Sequence, residues 1–168
     1  MPRRTLPFDP IAEARKNWEN AGWAEAADGM ALVTSVMRAH QILLARVDAA
    51  LDPFGLSFAR YEVLMLLSFS RSGKLPLGKI GQRLQVHPAS VTNVIDRLER
   101  DGLVRRLAHP TDQRTTLAAI TPKGRSAAKK ATEAVNHDVF EQTELGDTSL
   151  RGLFNGLADL RRSAGDFV

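Results

Sequence analysis

Cysteine is absent from this sequence of 168 residues. Its absence excludes disulfides, thiolate metal ligands, thiol redox switching and cysteine nucleophiles. Histidine is almost as scarce. His40, His87, His109 and His137 stand far apart, and no two share a ligand spacing such as i, i+4, so no metal site is expected. No apolar run approaches the roughly 18 residues of a membrane span. The opening stretch MPRRTLPFDPIAEARKNW lacks the apolar segment of a secretory signal. A cytoplasmic location with no membrane partner is the expectation. Gly-rich phosphate loops, internal repeats and low-complexity tracts are also missing. Ser57, Ser90, His87 and Asp112 are the side chains from which a nucleophile, base and orienter would be drawn, but none sits in a nucleophile elbow. No catalytic residue, cofactor or metal is therefore expected.

What is present is basic charge in one place. The net charge is only +4, yet residues 71–125 hold eleven Lys/Arg against four Asp/Glu, while the rest holds twelve against fifteen. A continuous basic third within an otherwise acidic chain points to a polyanion-facing surface. Apolar residues at 43% are enough for a real core.

Residues 1–10 are proline-rich and are expected to be ordered only by docking. A short helix is predicted over 11–22. Asp28 is placed to cap a long helix over 29–51, with Leu32, Val33, Val36, Leu43, Val47 and Leu51 at helical spacing. The DPFG break precedes a nearly all-apolar core helix running from Ser57 to about residue 70. SGKLP reads as a turn, 77–84 as a short helix, and 88–100 as a helix opened by Pro88 and closed by Gly102. Strands 103–108 and 114–120 flank the HPTDQ loop as a hairpin. Thr121-Pro122 opens a helix to about Leu145, and Asp147 or Thr148 caps a last helix to about Ala164. The fold class is mainly α with a small β-hairpin wing: a winged helix-turn-helix over 53–121. Residues 1–52 and 122–168 form a helical dimerisation region around it, with an N-terminal extension over 1–27.

In the 88–100 helix, at about 100° per residue, Val91, Val94, Ile95 and Leu98 fall on one arc. One flank of the remainder carries Ser90, Asn93 and Arg97; the other carries Asp96 and Glu99. Phosphates repel carboxylates, so the first flank should face the groove. Arg pairs with guanine, Asn with adenine, and Ser with either base or phosphate. Thr92 reaches a flanking phosphate. Asp112 and Arg114 lie two apart in the hairpin, where a carboxylate can orient an arginine fork for a narrow minor groove. Lys79 and Arg83 supply backbone contacts.

The stretch LGKIGQRLQVHPASVTNVIDRLERDGLVRRLAHPTDQRTTLAAITPKG resembles the MarR family of bacterial regulators. The likeness lies in the recognition helix with its Gly-Leu-Val end, the wing pair Asp112 and Arg114, and the Ile120-Thr121…Gly124 sequence. About residues 30–164 fit the family's six-helix layout. The resemblance implies a homodimer on pseudo-palindromic double-stranded DNA, usually acting as a repressor and often released by a small phenolic or aromatic anion. Trp18 and Trp23 ahead of the long helix, with Glu62 in the core helix, are similar to the urate-responsive branch; Val94 stands where that branch has an arginine. A more general effector pocket would draw on Trp23, Arg38, His40, Phe58, Tyr61 and Glu62. The alternative function is a winged helix used only for protein–protein contact, which salt dependence would separate from DNA binding.

Overall fold

The computed structural model describes residues 5–168. The expectation for residues 1–10 falls partly on residues 1–4, outside the described residues. Helix α1 (Pro10–Asn20) is capped by Asp9, whose carboxylate accepts from the Ile11 amide. It folds back on α2 (Ala24–Leu51) through a turn at Gly22, whose φ of 88° suits glycine. Trp18 and Trp23 meet edge to face at 5.3 Å. Because α2 starts at Ala24, Asp28 is not its cap: it lies inside the helix and accepts from Arg15 Nε at 2.6 Å. The tryptophan turn, rather than a capping side chain, decides where α2 begins.

A single 3₁₀ turn (Asp52–Phe54) leads to α3 (Phe58–Phe69). Ser57 occupies the cap position, but Asp48 Oδ1 takes the Phe58 amide, at 3.1 Å. Then come β1 (Lys74–Pro76), α4 (Leu77–Leu84), α5 (Pro88–Arg100), β2 (Val104–Ala108), β3 (Thr116–Ile120), α6 (Pro122–Val135) and α7 (Asp147–Ser163). The sheet has three antiparallel strands in the order β1-β3-β2. The predicted SGKLP turn is therefore in part a strand, Lys74 pairing with Ala119 and Pro76 with Leu117. Proline is tolerated there because β1 is an edge strand. The predicted helix to Leu145 ends earlier: α6 passes into a π turn (Asn136–Phe140), and an irregular link reaches α7.

One core joins these elements. Val47 and Leu51 of α2, Leu64 and Leu67 of α3, Ile80 of α4, Ile95 and Leu98 of α5, Val104 of β2 and Ala131 and Val135 of α6 are all buried in it. The base of the wing is fixed at Thr121. Its hydroxyl oxygen accepts from the Gly124 amide at 3.0 Å and donates to the Gly102 carbonyl at 2.8 Å. Among the described residues, no helix is long and apolar enough to cross a membrane.

Candidate nucleic-acid interface

Helix α5 is seated before it is functional. Pro88 starts it, and His87 Nδ1 accepts from the Ala89 amide at 3.2 Å. Val91, Ile95 and Leu98 are buried and Val94 is half-buried, as the angular reading predicts. Ser90, Thr92, Asn93 and Arg97 are exposed. Thr92 Oγ1 donates to the Pro88 carbonyl at 3.2 Å, so its hydroxyl is turned back on its own helix. Among the described residues, no side-chain partner engages Ser90, Asn93 or Arg97, which leaves their donors and acceptors for a ligand.

The other flank of α5 holds a feature that the sequence reading missed. Arg106 on β2 forks across both carboxylates: its Nη2 lies 2.6 Å from Asp96 Oδ1, and its Nη1 donates to Glu99 Oε2 at 2.6 Å. The Arg106 amide donates to Glu99 Oε1 at 2.7 Å. Strand β2 and helix α5 are thereby fastened together. One of the two negative charges that would repel phosphate is offset in the same step. The available signal was an Asp-x-x-Glu pair at helical spacing with an arginine just past the helix-ending glycine.

The amide and guanidinium of Arg106 hold the Glu99 carboxyl below its usual value. Its folded pKa is thus below the unfolded one. The stability it contributes is complete above the ordinary carboxylate range and is lost as pH falls through the lowered value. Thermal unfolding followed from about pH 6 down to about pH 2.5 should therefore fall more steeply for wild type than for Glu99→Gln. Parallel curves would show that Glu99 adds nothing to the fold.

In the wing, Asp112 acts differently from the expectation. Its Oδ1 accepts from the Arg114 backbone amide at 3.0 Å and its Oδ2 from Thr115 Oγ1 at 2.6 Å, rather than from the arginine fork. These bonds hold the Asp112 carboxyl low and brace the loop, while the exposed Arg114 side chain projects from it. Lys79 and Arg83 are exposed on α4; Arg83 also lines a cleft with Glu62 and Arg161. Behind the helix, Arg60 of α3 pairs with Asp101 and donates to the Gly55 carbonyl at 2.6 Å, while Lys123 donates to the Asp101 carbonyl at 2.8 Å.

The six expected effector residues do not converge within the chain. Trp23 is exposed beside Trp18. Arg38 donates to Gln41 on the outer side of α2. Tyr61 is a core residue whose hydroxyl lies 3.1 Å from Thr132 Oγ1. Glu62 is half-buried, and burial pushes its carboxyl up. His40 and Phe58 share a cleft, with Leu43, Arg46, Val139 and Leu153. Arg38 and His40 lie on α2 and Phe58, Tyr61 and Glu62 on α3, as the helical spacing predicts, while Trp23 stands in the turn before α2.

The sequence model of the MarR family matches residues 56–116, from just before α3 into β3. The transcriptional repressor Rv2887 of Mycobacterium tuberculosis is 34% identical over 109 residues, covering 65% of this chain and 76% of that protein. This chain belongs to the MarR family. A MarR-family regulator from Streptomyces coelicolor, Sco5413, is 50% identical, and its crystal structure superposes with a TM-score of 0.76, covering 84% of this chain and 98% of that one. CouR of Rhodococcus jostii, solved with p-coumaroyl-CoA, is 27% identical with a TM-score of 0.67, over 77% of this chain and 90% of its own. Two Bacillus subtilis regulators match over 59% and 54% of their own lengths. The MarR model thus covers the segment that contains both α5 and most of the wing.

Proposed function

We propose that this MarR-family protein binds double-stranded DNA site-specifically as a homodimer and represses transcription until a small aromatic or anionic ligand releases it. The observation that carries the reading is the division of α5: free Ser90, Asn93 and Arg97 on one flank, and carboxylates bound to Arg106 on the other. In this reading residues 53–121 read DNA, while 1–52 and 122–168 join the two copies. Dimerisation is supported by apolar faces that the chain leaves uncovered, including Leu32, Val33 and Met37 on α2 and Phe154 on α7. Faces of this kind mark protein contacts. A two-fold axis would set two recognition helices about one DNA turn apart, roughly 34 Å, as a pseudo-palindrome requires.

Arg97→Ala and Arg114→Ala should each weaken operator binding about tenfold to a hundredfold, the usual scale for losing a bidentate base contact, with thermal stability unchanged. Gel shifts with folded variants test this; intact binding in both would contradict the assignment. The ligand reading rests on family likeness to proteins such as CouR, together with the cleft of about 380 Å³ at His40, Phe58 and Leu153. Its walls are mostly apolar, and Arg46 at its edge donates to the Gln142 carbonyl at 2.8 Å. Aromatic carboxylates should raise the melting temperature, and Leu153→Trp, which fills the cleft, should abolish that rise.

A further inference from the structure

The segment after α7 does not trail away from the molecule. Gly165, with φ of 77°, closes α7 in a Schellman turn: the Gly165 amide donates to the Arg162 carbonyl and the Asp166 amide to the Arg161 carbonyl, both at 3.0 Å. The Asp166 carboxylate returns to Arg161 Nε at 2.6 Å, and Phe167 lies beside the guanidinium groups of Arg161 and Arg162. This geometry aims the Asp166 carbonyl at Gln85, whose Nε2 donates to it at 3.0 Å.

Gln85 sits at a sensitive place. It ends α4 in the left-handed conformation, φ 52°, and so forms the turn into the recognition helix. Its neighbour Val86 donates its amide N–H to the Gly81 carbonyl at 3.1 Å. Between the turn and α7 lies a cleft of about 470 Å³ that includes Glu62, Arg83 and Leu160. Gln85 and Asp166, joined by their hydrogen bond, both line it.

We propose that residues 164–168 are a brace, and that Gln85 is a positioning residue through which α7 fixes the orientation of the recognition helix. The brace joins the helix assigned to dimerisation directly to the turn of the reading unit, so it restricts the angle between them. For a dimer on a palindrome, that restriction appears as preference for one half-site spacing. The inference rests on the DNA-reading assignment only for this last consequence; the mechanical link is independent of it.

Two substitutions reach the contact from opposite ends. Gln85→Gly removes the side chain and suits the left-handed turn. Gly165→Val opposes the Schellman turn with a β-branched residue at positive φ, and Gly165→Asn, which tolerates that conformation, should behave as wild type. Amide hydrogen exchange at Val86 should accelerate about threefold to tenfold in Gly165→Val, the scale of one net hydrogen bond. Gln85→Gly should do the same, and the double variant should add nothing further because both act on one contact. Discrimination between operators of different half-site spacing should fall by a similar factor. Faster exchange in a protein that shows no DNA preference would keep the brace and overturn the DNA reading. Unchanged Val86 exchange in Gly165→Val, with α7 helicity intact, would overturn the brace.

Discussion

Arg106→Ala is expected to weaken DNA binding roughly tenfold to a hundredfold, the range for severing a bridge between two coupled elements, although Arg106 need not touch a base. In the intact protein its guanidinium spans Asp96 and Glu99, and its amide holds Glu99 as well. Without the side chain, Asp96 loses its partner and Glu99 keeps only the backbone amide of residue 106, so both negative charges stand uncompensated on the helix proposed to approach phosphates, and the wing strand loses most of its tie to α5. Arg106→Lys should fall between, because an ammonium carries the charge but cannot make the planar two-carboxylate fork. Adding Asp96→Asn and Glu99→Gln to Arg106→Ala should restore part of the affinity by removing the unpaired charge. Binding by Arg106→Ala that equals wild type would show that the fork is incidental. Failure of the triple variant to recover any affinity would leave wing position as the only effect.

The largest expected loss of stability is at Gly124. A Cβ there would lie 2.1 Å from the Leu103 carbonyl oxygen and 2.9 Å from Ile120 Cγ1, so the start of α6 can approach the base of the wing only with glycine. Gly124→Val should cost roughly 3 kcal/mol, at the upper end for overpacking against backbone. Urea unfolding measures this directly. Gly152→Ala is the control. It lies in exposed α7 with nothing within 4 Å of its Cβ position. It should gain up to about 1 kcal/mol from helix propensity. Equal midpoints for Gly124→Val and wild type would mean that the close approach is readily relieved.

Helix α5 was legible because every signal for it is local. Pro88 marks the start, Gly102 the end, and the spacing of Val91, Ile95 and Leu98 sets which side is buried. The same holds for Thr121 at the start of α6, where cap and glycine are adjacent in the chain. Strand β1 was not legible: three residues ending in proline carry no period, and only pairing with β3 makes them a strand. The fork of Arg106 and the pairing of Arg60 with Asp101 are tertiary contacts, visible in sequence only as unassigned charges. Asp112 was correctly tied to the Arg114 position, but the bond goes to its backbone, which residue type cannot distinguish from the side chain. The relative placement of the ligand residues was not legible for a similar reason: His40 and Phe58 share a cleft, while Tyr61 is buried in the core and Trp23 stands in the turn before α2.

This chain is proposed to read a two-fold symmetric DNA sequence through α5 and the wing. The direct test is selection of bound duplexes from a random library by the purified protein at moderate salt, run beside the Arg97→Ala, Arg114→Ala double variant. Wild type should enrich a pseudo-palindrome with half-sites about ten base pairs apart, with affinity that falls steeply as salt rises, and the double variant should enrich nothing. Recovery of the library unchanged by folded wild-type protein, or the same palindrome by both proteins, would contradict this proposal.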